Sequence, residues 1–146
     1  MANLSFYPQE TPYSCVPACL RMILADVGIL VDEETLRNCC NTDRLGTTAQ
    51  DTVSCVERYG LKARSVTEYN LSQLQGWLND DHYLIIYLNL YPLDAIWVTH
   101  AVVVEVMDEE YVTIMDPMQG RRDELLPAFA QAWQMARGQG ILVIRK

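Results

Sequence analysis

The amino-acid sequence predicts an α+β fold, in which N-terminal helices pack on a mostly antiparallel C-terminal sheet. Three observations lead to this prediction. Apolar residues recur at helical spacing in the first half of the chain, whereas the second half holds β-branched and apolar runs. Capping residues and glycines separate these segments at the expected boundaries. Helices followed by strands, rather than a regular alternation of the two, are typical of the α+β class.

The helical segments are marked by their periodicity and by their ends. In the first segment, from Val16 to about Val27, apolar residues recur every three or four positions, and Gly28 follows. Later segments begin with residues such as Asp32 and Asn70, whose side chains can accept hydrogen bonds from the first helical turn. We therefore expect further helices at 32–40, 48–59, 70–78 and 127–137.

Strands are expected where β-branched and apolar residues cluster between turn signals. These runs lie at 61–66, 83–90, 98–106, 111–115 and 141–144. A short acidic turn joins the third run to the fourth, so the two should form an antiparallel hairpin. A register that places Val104 opposite Val112 gives this hairpin one apolar face, and it also places His100 opposite Asp116.

Composition limits the classes of function. The chain has 146 residues, half of them apolar, which suffices for one domain spanning residues 1–146. Its formal net charge is −8 and it has no cluster of Lys and Arg, so nucleic acid is not an expected partner. No apolar stretch is long enough to span a membrane, and residues 1–14 do not resemble a signal peptide. The expected compartment is the cytosol, where the five cysteines would remain free thiols.

Cys15 is the strongest candidate for a functional residue. It stands where an irregular segment passes into the first predicted helix, and a helix N-terminus lowers the pKa of a thiol. A thiol nucleophile also needs a base, for which His100 is suited, and a carboxylate such as Asp116 that orients the imidazole. The backbone N–H of Cys15 and the side-chain amide of Gln9 are candidate donors to an oxyanion. We expect no cofactor. We also expect no metal, because the chain has no Cys-x-x-Cys pair.

These residues and their order resemble the C39 family of papain-like cysteine peptidases. The resemblance rests on QETPYSCVPACLRMIL around Cys15, on HAVVVEV from His100 and on YVTIMDP around Asp116, and it covers nearly the whole chain. It implies a papain-like fold, with Cys15 as nucleophile, His100 as general base and acid, Asp116 as orienting carboxylate and Gln9 as oxyanion donor. Members of this family cut leader peptides after a double glycine, and many are domains of ABC transporters. The resemblance therefore implies a peptide or protein substrate, such as a leader peptide, and an association with an ABC transporter.

The chain departs from the family pattern in one position near the nucleophile. The family usually has Gly directly after the catalytic cysteine, whereas this chain has Val16. We expect Val16 to narrow or reshape the site, together with Trp97, which precedes His100 by three residues. The chain also carries no transporter or ATPase segment, so it is either a stand-alone member or an excised domain.

Several alternatives remain open at this point. Asp94, Glu105 and Asp108 compete for the role of orienting carboxylate, and His82 is the other histidine. A different acyl-transfer hydrolase, such as an amidase, transpeptidase or deubiquitinase-like enzyme, would use the same residues. A non-catalytic peptide-binding module is the third possibility, and the retention of all four candidate residues argues against it.

Overall fold

The helices and strands of the computed structural model confirm the α+β class and most of the predicted elements. The model describes residues 3–67 and 70–145, which contain six helices and six strands. The helices are α1 Cys15–Asp26, α2 Glu33–Cys39, α3 Ala49–Arg58, α4 Leu71–Asn79, α5 Tyr91–Asp94 and α6 Leu126–Met135. The strands are β1 Lys62–Val66, β2 Tyr83–Asn89, β3 Thr99–Met107, β4 Tyr111–Asp116, β5 Gly120–Leu125 and β6 Gly140–Ile144.

One antiparallel sheet carries helices on both of its faces. Its strand order is β1-β6-β2-β3-β4-β5, and every neighbouring pair is antiparallel. Helices α1, α2 and α3 cover one face, over a core that includes Ile85 and Val103. Helices α4 and α6 cover the other face, over a core that includes Ile86 and Val104. Because both faces are buried, β3 is buried almost continuously, as its run of valines requires.

The predicted N-caps explain where three helices begin. The Asp32 carboxylate accepts a hydrogen bond from the backbone N–H of Thr35 at 2.8 Å. Thr48 and Asn70 accept the equivalent bonds at the starts of α3 and α4, at 3.1 and 3.0 Å. Two elements were not predicted, namely the short helix α5 and the edge strand β5, whose sequence GRRDEL has no apolar alternation.

The register of the β3–β4 hairpin differs from the predicted one. Val104 lies opposite Ile114 instead of Val112, and Glu105 forms a β-bulge. Continuing this register places Asp116 opposite Val102, so His100 is its diagonal neighbour and does not face it directly. The difference is two residues, an even number, and the pair therefore still shares one face of the sheet.

Glu105, the bulged residue, anchors the N-terminal segment to the sheet. Its buried carboxylate accepts hydrogen bonds from the Leu4 backbone N–H at 2.8 Å and from Arg121 Nε at 2.6 Å. Arg121 Nη2 in turn donates to the Leu4 carbonyl at 2.8 Å. Further along the segment, the Gln9 N–H donates to the Pro117 carbonyl at 2.8 Å. These bonds lay residues 4–9 along the sheet and bring them to the residue that follows Asp116.

Candidate active site

Cys15 is the first residue of α1, as the sequence predicted. Ser14 occupies the N-cap position without capping the helix, because its hydroxyl donates to the Thr11 carbonyl at 3.2 Å. The first turn of α1 holds no acidic residue. The N–H groups of this turn form the positive end of the helix dipole beside the sulfur, and the backbone N–H of Val16 helps to lower the pKa of Cys15. One turn later, Cys19 Sγ donates to the Ala101 carbonyl at 3.6 Å, which fixes α1 against β3 beside His100.

His100 and Asp116 form a buried hydrogen-bonded pair at the end of the sheet. His100 Nε2 lies 2.7 Å from Asp116 Oδ1, and the two side chains are 6% and 2% exposed. This bond leaves Nδ1 as the ring nitrogen that can serve the Cys15 thiol, and the interaction with Cys15 helps to raise the pKa of His100. The Met118 backbone N–H donates to the same Asp116 oxygen at 2.8 Å. Three residues that are far apart in sequence thus form one chain of contacts from sulfur to carboxylate.

The electrostatics of this chain favour an ion pair of thiolate and imidazolium. Burial tends to raise the pKa of Cys15, but hydrogen bonds and charge from His100, together with the backbone N–H groups of Ala101 and Val16, lower it below its usual value. Burial also opposes protonation of His100, yet the bonds to Asp116 and Cys15 raise its pKa to about 9. The pKa of Asp116 is lowered despite burial, chiefly by its bond to His100. His100 and Cys15 therefore each stabilise the charged form of the other, which favours the thiolate over the thiol.

The other four cysteines lack this environment. Burial raises the pKa of Cys19 well above its usual value and raises that of Cys39 to about 11. The pKa of Cys55 is raised mainly by its hydrogen bond to Cys40. Cys19, Cys40 and Cys55 are buried, whereas Cys39 is only half-buried.

Arg122, which no sequence signal marks as a site residue, contacts the second oxygen of Asp116. Its Nη1 lies 3.2 Å from Asp116 Oδ2, and its Nη2 lies 2.7 Å from Asp94 Oδ1. Asp94 therefore pairs with an arginine rather than orienting His100. Glu105 and Asp108 have other partners as well, since Glu105 anchors the N-terminal segment and Asp108 accepts from backbone N–H groups in its turn. Of the four carboxylates considered, Asp116 is the one bonded to His100.

The Gln9 side chain is held by its own loop. Its Nε2 donates to the Thr11 carbonyl at 2.8 Å, and its Oε1 is buried without a hydrogen-bond partner among the described residues. Gln9 does not line the cleft that contains Cys15, although Pro12 and Met118 line both that cleft and the neighbouring depression around Gln9. The amide has one further N–H to donate after its bond to Thr11.

A cleft of about 450 Å³ opens over the sulfur, imidazole and carboxylate. One wall is the tip of the α2–α3 connection, residues 44–46, and the other is formed by residues of the segment 90–98. Four large apolar side chains line the cleft and are unusually exposed. They are Leu45 at 97%, Met118 at 59%, Ile96 at 55% and Val98 at 46%. A second cavity, of about 240 Å³ beside Tyr7 and Arg21, is lined by no thiol or imidazole.

Val16 and Trp97 do not narrow the site, contrary to the sequence-based expectation. Val16 is 3% exposed and packs in the core beneath α1, because the second residue of this helix points at the sheet. Trp97 is 72% exposed and leans on Tyr91 with 5.4 Å between ring centroids, outside the set of cleft-lining residues. His82 is likewise absent from the cleft, and its Nδ1 accepts the backbone N–H of Arg145 at 3.1 Å.

The part of the chain that the structure describes offers neither a membrane-spanning helix nor a metal-binding cluster. Residues 3–67 and 70–145 contain no helix that is both long and apolar enough to cross a membrane. The same residues contain no cluster of three or more His, Cys, Asp or Glu side chains that could hold a metal ion.

Comparison with known proteins gives a family and a set of related folds. The family model described as peptidase C39 matches residues 3–143. An uncharacterized protein of Methanothermobacter thermautotrophicus is 32% identical over 113 residues, which are 77% of this chain and 71% of that protein. One similar structure is a double glycine motif protease from an AMS/PCAT transporter, solved with the leader peptide. It has a TM-score of 0.77 at 24% identity, and the alignment covers 98% of this chain and 91% of that protein's chain. A Bacillus anthracis protein described as a C39-like peptidase has a TM-score of 0.82 at 20% identity. That alignment covers 99% of this chain and 96% of the Bacillus anthracis chain.

Proposed function

The chain belongs to the peptidase C39 family, and we propose that it is a cysteine peptidase in which Cys15 attacks the scissile carbonyl. Family membership indicates a hydrolase that cleaves peptide bonds. The observation that carries the cysteine mechanism is the contact chain from Cys15 through His100 to Asp116, in which the His100–Asp116 bond measures 2.7 Å. A buried ion pair of this kind supplies both a nucleophile and an acid.

Each residue of the contact chain has one role in the proposed reaction. Cys15 attacks as the thiolate, and a bond forms between sulfur and the carbonyl carbon. His100, protonated at that stage, gives its proton to the leaving amine as the peptide bond breaks. The neutral imidazole then removes a proton from water as its oxygen attacks the thioester carbon. The carbon–sulfur bond breaks, the carboxylic acid product leaves, and the Cys15 thiolate and His100 imidazolium are restored. Asp116 holds the imidazole in one tautomer and stabilises its charged form throughout.

The oxyanion of each tetrahedral intermediate needs donors beside the sulfur. The Cys15 backbone N–H at the start of α1 is one candidate, because helix geometry leaves it without an intrahelical partner. We assign the second donor to Gln9, whose Nε2 has one N–H left after its bond to Thr11. Both donors belong to the same connection, residues 9–15, so their separation is set by local geometry.

The shape of the cleft favours an extended peptide as substrate. Cys15 is half-buried and His100 is 5% exposed, so the reactive atoms lie at the bottom of the cleft. Small residues next to the scissile bond would let a peptide backbone reach the sulfur. The exposed apolar side chains on both walls would contact apolar side chains further from the bond. This arrangement suits a double-glycine leader, which is also the substrate class of the transporter-derived relative.

The setting of the enzyme follows from the same proposal. We propose that residues 1–146 form one peptidase domain that acts in the cytosol on a leader peptide, in association with an ABC transporter. The family match over residues 3–143 supports the domain, and five unpaired cysteines suit a reducing compartment. A binding module without catalysis is disfavoured, because binding a peptide does not require a thiolate paired with an imidazolium.

The test is cleavage of a leader-like peptide library by the purified chain, with Cys15→Ala as the matched control. We expect cuts after paired small residues, detected by mass spectrometry, and no cuts by Cys15→Ala. Equal cleavage by both proteins, or none by either, would refute the cysteine peptidase. Cleavage by the wild type after large residues would retain the cysteine mechanism and remove the double-glycine specificity.

A further inference from the structure

Arg122 bonds to three carboxylates, of which Asp116 and Asp94 line the cleft and Glu124 does not. Its Nη1 donates to Asp116 Oδ2 at 3.2 Å, its Nη2 to Asp94 Oδ1 at 2.7 Å and its Nε to Glu124 Oε2 at 2.6 Å. The Arg122 side chain is 15% exposed, and the three carboxylates are between 2% and 20% exposed. A planar guanidinium is suited to such a site because its N–H groups keep fixed directions.

At one end of this network, Arg122 completes the contacts of Asp116. Oδ1 of Asp116 accepts from His100 and from the Met118 N–H, whereas Oδ2 accepts from Arg122. A carboxylate bonded at both oxygens cannot rotate without breaking a bond. Without Arg122, Asp116 Oδ2 would have lost this hydrogen bond in a side chain that is only 2% exposed. The carboxylate would then rotate to bring this oxygen to another donor.

At the other end, Arg122 holds a wall of the cleft. Asp94 is the last residue of α5 and lines the cleft itself. The chain reverses just after it, where Ala95 adopts a left-handed conformation with φ of 58°. The Leu90 N–H then closes the segment by donating to the Val98 carbonyl at 2.9 Å. The position of Asp94 therefore sets the position of Ile96 and Val98 beside the thiol.

We propose that Arg122 is a positioning residue that holds Asp116 against His100 and ties the cleft wall of residues 90–98 to the same point. Its consequence for catalysis rests on the proposed cysteine-peptidase function, but its test does not need a substrate. The charged or titratable groups that face His100 are Cys15 from α1 and Asp116 from β4, with Arg122 behind Asp116.

Positioning and simple electrostatics predict opposite results when Arg122 is removed. A nearby cation disfavours imidazolium, so loss of its charge alone would raise the pKa of His100. Loss of positioning would let Asp116 turn away, and the pKa of His100 would then fall toward its ordinary value. The direction of the change therefore identifies the role.

The experiment is an NMR titration of histidine-labelled protein, which contains two histidines, His82 and His100. A His82→Gln variant assigns the signals. In Arg122→Gln we expect the pKa of His100 to fall by about one unit or more, with peptide-cleavage kcat reduced about tenfold or more. The matched control is Glu124→Gln, which leaves the contacts to Asp116 and Asp94 in place and should match the wild type. An unchanged or raised pKa of His100 in Arg122→Gln would overturn the positioning role.

Two further variants separate the parts of the proposal. If Arg122→Gln melts below the assay temperature, Arg122→Lys is titrated instead, and we expect a smaller fall of the same sign. Asp94→Asn should change KM or the peptide profile while the pKa of His100 stays at its wild-type value, and an unchanged KM and profile would overturn the tie to the wall. A wild-type chain that cuts no peptide would refute the proposed peptidase, whereas a fall in the pKa of His100 in Arg122→Gln would still support this inference.

Discussion

His100 and Asp116 lie on the same face of the sheet because Glu105 forms a bulge between them and the hairpin turn. On the turn side of the bulge, Val106 lies opposite Thr113; on the other side, Val104 lies opposite Ile114. If the turn-side register continued without a bulge, Asp116 would oppose Val103 and would point away from His100. The extra residue, Glu105, shifts the pairing by one position, so that Asp116 opposes Val102 and shares a face with His100. The 2.7 Å bond between His100 and Asp116 depends on this shift.

The first prediction concerns the reactivity of the thiols. We expect Cys15 to be alkylated well before Cys19, Cys39 and Cys55, because its pKa is lowered whereas theirs are raised. Titration with iodoacetamide followed by peptide mapping measures the order. Labelling of Cys39 ahead of Cys15 would contradict the assignment.

The second prediction concerns substitution of the contact chain. Cys15→Ala and His100→Ala should each abolish peptide cleavage, and Asp116→Asn should lower kcat severely, since it removes the charge that stabilises imidazolium. The double variant Cys15→Ala/His100→Ala should be no worse than either single one, because these residues act as a unit. His82→Ala is the matched control and should keep wild-type kcat. An inactive His82→Ala with an active His100→Ala would reverse the choice of histidine.

The third prediction concerns pH. The ion pair exists between the lowered pKa of Cys15 and the pKa of His100 at about 9. Above about pH 9 the imidazolium loses its proton, so the rate of inactivation by anionic iodoacetate should fall there. On the acid side the rate should fall as the Cys15 thiolate is protonated. This fall should occur at a pH below the usual pKa of a thiol, because the pKa of Cys15 is lowered. A rate that rises steadily through pH 9 would show an ordinary unpaired thiol.

How far the sequence predicts this fold depends on the kind of signal in each segment. The starts of three helices can be predicted from Asp32, Thr48 and Asn70, because an N-cap is a local interaction. Each of these side chains accepts the N-cap hydrogen bond in the structure. Strand β5 gives no such signal, since GRRDEL is polar and its pairing with β4 stabilises it as an edge strand. For this reason Arg122 could not be recognised as part of the site.

The bulge was hidden from the sequence for a different reason. Alternation of apolar residues predicts a regular register, and a charged residue such as Glu105 is expected on the solvent side. In the structure Glu105 is 3% exposed, because Leu4 and Arg121 from distant parts of the chain satisfy its carboxylate. Cys15, His100 and Asp116 were nevertheless predicted to lie together, and the structure brings them together, since a register shift of two residues keeps His100 and Asp116 on one face.

The fourth prediction concerns Gln9. If its amide stabilises the oxyanion, Gln9→Ala should lower kcat by about 10²–10³ with little change in KM, because the bond strengthens only in the transition state. Gln9→Glu is the matched control of similar size, and it should be equally poor because a carboxylate cannot donate. A rise in KM alone would show that Gln9 contacts the substrate instead.

The fifth prediction concerns Val16, the departure from the family pattern. Val16→Gly should leave the peptide profile unchanged, because Val16 is buried in the core and does not line the cleft. It should destabilise the fold by about 2–4 kcal/mol, from the cavity and from glycine in a helix, which a urea titration measures. Leu45→Ala is the complementary variant: it removes a side chain that is 97% exposed at the cleft, so it should alter the profile with little loss of stability. A changed profile in Val16→Gly would contradict this placement.

The two walls of the cleft are the connection at residues 44–46 and the segment 90–98, which is loop apart from the four-residue helix α5. Cys15, His100 and Asp116, in contrast, stand on helix α1 and strands β3 and β4. Loops tolerate substitution and changes of length better than the elements they connect. Mutation in either wall can therefore change what is cut without disturbing how it is cut. Substitutions at the twelve positions of the two walls can therefore change the substrate while Cys15, His100 and Asp116 stay in place. Among natural variants of this chain, sequence diversity should be concentrated at residues 44–46 and 90–98.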